Sequence, residues 1–529
     1  MPILDRSTSL AITFAAITLL VPSASPQQSA IDLPVSTLPR IGTVSDRFQS
    51  YNIEMLEVTG GRFWKPYAAT SSHSESGSSS APSGMNPDMY AYRPPESLSN
   101  PRLRKLAAAL GPAYVRVSGT WANSIYFPKP GESITSPPAG FGSVLTPQEW
   151  KGVVDFSRAA DAEIVTSFAT SVGTRDAQGT WTPDQAARFL DYNHSVHGQI
   201  AAAEFMNEPT FAIMGGAPKG YDAQQFGRDF HIFEAFIRAH APGIKIAGPG
   251  SVGETTDASQ SLGAHMPGFI PTPALLAAMG PNTVDIFSYH AYAGASQRCT
   301  AMGVPQTTAE TALSEQWLSR TDEILAYYEK LRDQFDPGKS IWLTETAETA
   351  CGGNPWSSTF LDTFRYLDQL GRLAKQHVQV VMHNTLDASD YGLLQEGTYV
   401  PRPNFWAALL WHKLMGTTVL DAGIPTQPGL HVYAHCLRDA PGGVAVLVIQ
   451  TDKQQPRTLH IPAEAERYTL SSTPLQSDTV DLNGRKLTLA PNDELPRLDG
   501  VSVHAGSYRF DPATITFLAV PHANNPACH

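Results

Sequence analysis

Two short stretches hold the side chains best able to do chemistry. "AEFMNEPT" (203–210) sets Asn207 and Glu208 just after an apolar run, and "SIWLTETAETACGGNPW" (340–356) sets Glu345 in the equivalent place, at the carboxyl end of another. Two glutamates brought to one cleft from opposite sides can split an acetal. A protonated carboxyl gives its proton to the leaving oxygen, and an ionised one attacks the carbon. Direct attack needs the pair about 5–5.5 Å apart, whereas activation of a water needs roughly 6.5–9.5 Å. Asn207 fits the same chemistry, because an amide beside the acid can hold a sugar's 2-hydroxyl in the transition state. On this reading Glu208 is the acid/base, its pKa raised by burial and by the nearby carboxylate. Glu345 is the nucleophile and needs donors around it; Tyr292 and His290, from "FSYHAY" (287–292), are the nearest candidates. Glu348 competes with Glu345 but stands beyond the strand end, where a loop residue is expected to be exposed.

Such a pair needs a scaffold, and the chain supplies a repeating one. Short apolar runs recur at "FQSYNIEM" (48–55), "AYVRVSG" (113–119), "EIVTSFA" (163–169) and "IAAAEFMNE" (200–208). They continue at "IKIAGPG" (244–250), "VDIFSYHAY" (284–292), "SIWLTET" (340–346) and "VQVVMHNT" (378–385). Between them lie amphipathic stretches such as "WKGVVDFSRAADA" and "TDEILAYYEKLRDQF", with apolar residues at helical spacing. Buried strands alternating with helices mean an α/β fold with a parallel sheet, and eight units closing on themselves make a (β/α)8 TIM barrel over about 46–400. No glycine-rich phosphate loop follows the first strand, which argues against the rival doubly wound sheet. Strands four and seven face each other across a barrel, and sites form at the carboxyl ends of the strands. The serine- and glycine-rich stretch 68–100 reads as a long mobile loop on that face. From 401 to 529 the texture changes to short alternating strands such as "GGVAVLVIQTD" and "ATITFLAVPH", a C-terminal β-sandwich. Residues 25–45 are positioned to add a strand to it.

Composition narrows the partners. With 37 Lys plus Arg against 49 Asp plus Glu the formal net charge is −12, so nothing favours a nucleic-acid partner. The N-terminus places Arg6 before an apolar stretch, Leu10 to Val21, followed by small residues: a signal peptide over about 1–24, cut between 23 and 30. That run is shorter than the ~20 residues of a spanning helix, so no stable membrane insertion is expected and the mature chain is secreted or periplasmic. Four cysteines suit an oxidising compartment. Cys528 could staple the tail to the strand carrying Cys436, although spacing leaves the pairing open. The histidines have no metal-ligand spacing, so no metal and no cofactor are implied. Oligomeric state is left open.

Taken together, the two glutamate motifs, "YVRVSGTWANSIYF" (114–127), "VDIFSYHAY", "PRPNFWAALLWHKLMGTTVL" (401–420) and the tail from "VYAHCLRD" resemble glycoside hydrolase family 79, the heparanase and β-glucuronidase family. The resemblance spans roughly 45 to 520 and implies a retaining, metal-independent barrel-plus-sandwich enzyme acting on β-linked glucuronic acid. It also implies Glu208 as proton donor, Glu345 as nucleophile, Asn207 as its companion and Glu54 as a carboxylate holding hydroxyls of the terminal sugar. Arg116 and Tyr292 fall at motif positions lining the cleft. One departure stands out. Family members follow the nucleophile with a Tyr-Gly-Gly-Gly loop that grips the uronate, whereas here the run is "ACGGN" (350–354), without the tyrosine. Gly352 and Gly353 could still present amides to an anion. The expected activity is exo-β-glucuronidase; an endo-acting heparanase-like hydrolase and a retaining β-glycosidase for a neutral sugar are the alternatives. A carbohydrate-binding protein without catalysis needs no such carboxylate pair, since like charges held close cost energy.

Overall fold

The computed structural model describes residues 31–67, 85–134, 136–261, 263, 266, 268–303 and 305–529. The expected signal peptide and residues 68–84 of the expected loop lie outside them. The eight apolar runs form eight parallel strands. These are β1 (Gln49–Glu54), β2 (Ala113–Ser118), β3 (Ala162–Ser167), β4 (Ile200–Glu204), β5 (Lys245–Ser251), β6 (Ile286–Ala291), β7 (Ser340–Thr346) and β8 (Val380–His383). Neighbours pair in chain order, and β8 pairs with β1 to close the barrel. Each strand is followed by a helix. In order they are α1 (Pro101–Ala108), α2 (Pro147–Ala159), α3 (Asp184–Ser195), α4 (Ala223–His240), α5 (Thr272–Met279), α6 (Arg320–Phe335), α7 (Phe360–Lys375) and α8 (Pro403–Leu414). Their starts are written locally. Asn100 accepts from the first amides of α1, Thr146 and Glu149 cap α2 reciprocally, and Asp222 and Gln225 do the same for α4.

Alternation along each strand sorts the barrel interior into layers. Val165, Ala202, Ala247, Ile286, Trp342, Val380 and Met382 make an apolar plug. Two residues further along, Arg116, Glu204, Ser288 and Thr344 form a polar layer. Above that layer the strands open into the cleft. Register shifts in the pairing of β6 with β7 and of β7 with β8 break the alternation near the end of β7. Bulges re-aim side chains, and here Thr344 and Glu345 both reach the barrel interior.

Helix α8 lies in the segment that the sequence assigns to the sandwich. Phe405, Trp406, Leu410, Trp411 and Asn404 are all buried, and a helix apolar on nearly every side belongs inside, between two layers. After it a large sheet begins, its main path running Arg40–Thr43, Met415–Leu420, His431–Leu437, Val444–Gln450, Thr514–Val520 and Ala465–Ser471. Its outer face packs on a three-stranded sheet formed by Ile31–Asp32, Arg457–Ile461 and Gly506–Phe510, through Val446, Val448, Leu459 and Phe510. Its inner face, with Tyr433, Leu447 and Phe517, joins the core that surrounds the barrel. Disulfides join Cys299 to Cys351 and Cys436 to Cys528, which marks a chain of an oxidising, non-cytosolic compartment. Among the described residues, no helix is long and apolar enough to cross a membrane.

A buried ionic cluster ties barrel to sheet. Asp368 of α7 accepts from His431 Nδ1 at 2.5 Å, from Tyr433 at 2.6 Å and from Arg372 at 2.7 Å, and His431 Nε2 lies 2.8 Å from Glu315. Burial alone would lower the His431 pKa, but Asp368 and Glu315 hold its proton and push it up to about 9. A histidine raised in the folded state stabilises fully below its unfolded value, 6.5, and that contribution is lost as pH rises through about 9. Denaturant titrations should therefore show stability falling between those two pH values, by clearly less in His431→Gln. An equal fall in the variant would remove His431 as the cause.

Candidate active site

Glu208 does not end a strand. β4 stops at Glu204, and Glu208 lies four residues on, in the left-handed region with φ 48° and ψ 63°. A non-glycine residue held there is strained and persists only where its surroundings over-determine it. Asn123 supplies that constraint. It accepts from the Asn207 amide at 2.9 Å and donates to the Asn207 carbonyl at 2.8 Å, pinning the turn from both sides. Glu208 then points into the cleft with 18% of its side chain exposed. Burial pushes its pKa up to about 7, with Arg116 opposing and Glu204 adding to the rise. His290 Nδ1 sits 3.1 Å from Glu208 Oε1. Burial outweighs the pull of Glu345 and brings the His290 pKa down to about 4, so this contact is a hydrogen bond to a neutral ring, not an ion pair.

Glu345 comes from the bulged end of β7. Tyr292 donates to its Oε1 at 2.7 Å and Arg116 to its Oε2 at 2.8 Å. One oxygen each of Glu208 and Glu345 and a ring nitrogen of His290 all lie within 4.8 Å of one another. The geometry thus brings the two glutamates together from opposite sides of the barrel.

Arg116 does not line the cleft. It lies beneath it, 1% exposed, and its guanidinium makes four hydrogen bonds: two to Glu204 Oε2 at 2.9 and 3.0 Å, one to Glu345, and one to Asn207 Oδ1 at 2.7 Å. The last bond orients Asn207. With its oxygen taken, its NH2 is the group left to donate. Burial would raise the Glu204 pKa, but Arg116 and Ser288 hold it below the ordinary carboxylate value.

Glu54, ending β1, lines the cleft and accepts from Asn384 Nδ2 at 3.1 Å; the same amide lies 3.2 Å from the Tyr292 hydroxyl. Burial first, and the Glu345 charge second, push its pKa well above the usual range. Only glycine fits beside it: a Cβ on Gly119, where φ is +96°, would stand 1.6 Å from Glu54 Oε2. Trp64, Tyr90, Trp121 and Tyr391 supply aromatic walls.

Gly352 and Gly353 sit behind the cleft. A Cβ on Gly352 would meet Trp64 at 2.5 Å, and one on Gly353 would meet Ser357 at 2.4 Å, while Ala350 and Cys351 line the cleft instead. The segment is held in that position from outside. Ala350 exchanges backbone bonds with Gly294 and Ser296, and Cys351 is bonded to Cys299. Glu348 is not exposed either. It is 1% exposed and ties the same loop by accepting from Thr349 at 2.8 Å and from the backbone and side chain of Asn354 at 2.9 and 3.1 Å.

Glu208, His290 and Glu345 have the spacing of a possible metal site. The donor set fits one poorly. Both oxygens of Glu345 already accept hydrogen bonds, one from a buried guanidinium whose charge opposes a second cation.

Residues 97–371 match the family described as "Glycosyl hydrolase family 79, N-terminal domain". The chain belongs to that family. It is a retaining glycoside hydrolase. Among its relatives, "Heparanase-like protein 1" of Arabidopsis thaliana is 26% identical over 492 residues, covering 82% of this chain and 86% of the relative. "Baicalin-beta-D-glucuronidase" of Scutellaria baicalensis is 35% identical over 171 residues, covering 31% and 32%. A solved 4-O-alpha-L-rhamnosyl-beta-D-glucuronidase from Fusarium oxysporum 12S shares the fold, with a TM-score of 0.59 at 14% identity over 93% of this chain and all of that one.

In this family-79 hydrolase, Glu204, Asn123, Asn384 and Tyr391 join the site although sequence motifs alone did not single them out. Glu204 carried a usable signal: an inward position two residues after Ala202 on a buried strand must be paired, and Arg116 is the buried cation available. Lysine is a point charge and cannot reproduce the guanidinium's divergent bonds. Arg116→Lys should lower kcat/KM by at least about 10²-fold, the scale of a 1 Å misplacement. Arg116→Ala should also cost about 3–5 kcal/mol of stability by stranding buried carboxylates. Parallel kinetics and denaturant melts check both, and a wild-type kcat in Arg116→Lys would reduce Arg116 to packing.

Proposed function

We propose that this hydrolase removes terminal β-linked glucuronic acid from glycans or small glucuronides, working as an exo-enzyme that is secreted or periplasmic. The observation that supports the mechanism is the Glu208–Glu345 pair within 4.8 Å, with Asn207 turned by Arg116 to offer its amide. That close approach is in keeping with the short carboxyl separation of direct attack rather than the longer one used to activate a water. Glu208 gives its proton to the glycosidic oxygen as Glu345 attacks the anomeric carbon, breaking the bond to the aglycone and forming a glycosyl ester. Glu208, now a carboxylate, then takes a proton from the water that opens the ester, and the β configuration is restored. A Glu208 pKa of about 7 suits a group that must hold a proton and later accept one. Asn207 offers its amide to the 2-hydroxyl, and Glu54, kept protonated by its surroundings, serves hydroxyls of the terminal sugar together with Asn384.

Exo action is supported by the wall beside Glu54. There the strands Gly61–Trp64 and Tyr90–Arg93 pair, Trp64 stacks on Tyr90 with ring centroids 4.5 Å apart, and Phe63 packs on Trp121. A glucuronate substrate is supported by the relatives, two of which are named for glucuronidase activity. One observation favours a neutral sugar instead. Among the described residues lining the cleft there is no lysine or arginine to meet a uronate carboxylate.

The acid role predicts pH behaviour with a definite sign. Glu208 must be protonated to act, so turnover of substrates with poor leaving groups should fall as pH rises through about 7. Glu208→Ala should abolish that limb and slow poor leaving groups by about 10²–10⁴-fold while sparing acidic phenols, with azide restoring turnover as the β-glycosyl azide. Glu345→Ala should be inactive on both. A wild-type alkaline limb in Glu208→Ala would assign the acid elsewhere. A panel of nitrophenyl β-glycosides tests the sugar: the glucuronide should be hydrolysed fastest, and faster turnover of a neutral glycoside at low and saturating substrate would select the second reading.

A further inference from the structure

The cleft extends past the catalytic glutamates along residues that the sugar's own contacts do not use. What lies beyond the sugar is settled by where the leaving oxygen must go. It has to come within hydrogen-bond reach of Glu208, so the aglycone leaves across the segment that follows Glu208 and the loops packed on it. Those surfaces are apolar. Phe211 and Met214 follow Glu208 directly; Val252 comes from the end of β5; Met266, Met85 and Cys351 complete the wall.

This wall is built in advance. Thr210 donates to the Val252 carbonyl at 3.2 Å, and its own carbonyl accepts from Ile270 at 3.0 Å, joining three loops into one surface. Phe211 rests on Phe269 with ring centroids 5.3 Å apart. Cys351 is bonded to Cys299 and so offers no thiol. None of the six side chains can form a strong hydrogen bond, and none is charged. Against these described residues a sugar would bury hydroxyls without partners, and a sulfated one would meet no cation. A ring system, by contrast, gains from the area it buries, and thioether sulfurs sit well against aromatic edges while adapting to differing outlines.

We infer that the aglycone subsite of this cleft takes an aromatic or polycyclic alcohol rather than a second sugar. The inference rests on the assignment of Glu208 as the acid, and it leaves open which sugar occupies the other half of the cleft.

The test holds the sugar constant and varies the aglycone at matched leaving-group acidity. Phenyl and 2-naphthyl β-glycosides form one pair, since the two phenols have similar acidity; cyclohexyl and 4-O-linked glucosyl aglycones form an aliphatic pair. The naphthyl compound should exceed the phenyl one in kcat/KM by about tenfold, and the cyclohexyl compound should exceed the disaccharide. Both ratios should shrink toward one in Met214→Gln and in Met266→Gln. Each is a ratio within a single protein, so a lower folded fraction cancels. Flat ratios in the wild type, or a preference for the sugar aglycone, overturn the inference. The comparison uses whichever glycone the nitrophenyl panel selects, so a neutral sugar there revises the proposed substrate and leaves this result standing. If no glycoside is turned over, the catalytic reading fails separately. Calorimetry with phenyl and naphthyl S-glucuronides then reads the subsite, and equal affinities overturn it.

Discussion

A guanidinium buried in the centre of the barrel is the constraint on which the site depends. Arg116 has essentially no contact with water, and a buried cation is tolerated only when paired and fully hydrogen-bonded. Its partners therefore become fixed parts of the site: Glu204 below, Glu345 on one side and Asn207 on the other. Its charge goes first to Glu204, which is held ionised by it and by the Ser288 and Thr344 hydroxyls. The same charge also lowers the pKa values of Glu54 and Glu208, but not by enough to offset their burial. Glu54 and Glu208 are both pushed toward the protonated state, chiefly by burial. Burial thus keeps the proton that the chemistry uses, against the pull of the one cation nearby.

Geometry follows from departures from regular structure rather than from regularity itself. A strict barrel strand alternates in and out, so β7 could not bring both Thr344 and Glu345 inward without its shift in register. β4 ends too early to deliver Glu208, and the left-handed turn clamped by Asn123 covers the remaining distance. Gly119 yields its side-chain volume to the Glu54 carboxylate. Such local irregularities are where a scaffold shared by many enzymes becomes one particular site.

Much of this was legible in the sequence, for identifiable reasons. All eight barrel strands were marked because a strand buried on both faces is a continuous apolar run, and the polar residues that interrupt such runs near their ends stand out. Glu345 and the Asn207–Glu208 pair were visible on that ground. What escaped is what depends on long-range packing. Helix α8 was assigned with the sandwich because it is apolar nearly all round and shows no amphipathic stripe. Glu348 looked exposed by its position in a loop, but Asn354, six residues later, closes the loop over it. Gly352 and Gly353 are not among the residues lining the cleft; Ala350 and Cys351, tied to the segment after β6, stand there instead. Asn384 and Tyr391 lie beyond β8 and gain meaning only because barrel closure places them beside Glu54.

Charge also bears on which sugar the cleft can hold. In the state that begins the reaction, the Arg116 cation is shared between Glu204 and an ionised Glu345, so the centre carries net negative charge. A uronate adds another negative charge, and no lysine or arginine among the described lining residues offsets it. Among the described lining residues its carboxylate would be met by neutral donors, such as the phenols of Tyr292 and Tyr391, the amide of Asn384, the Thr120 hydroxyl and the Trp121 indole. Tyr292 is already committed to Glu345. Tyr391 is not: burial and the charges of Glu54 and Glu345 keep its phenol protonated, and its ring packs on the segment that lacks the expected tyrosine, 3.2 Å from where a Cβ on Gly353 would stand. Neutral donors are a weaker hold on an anion than a guanidinium, but they are compatible with neighbours that must keep their protons, whereas a cation placed there would draw the protons from Glu54 and Glu208 and remove the acid the reaction needs.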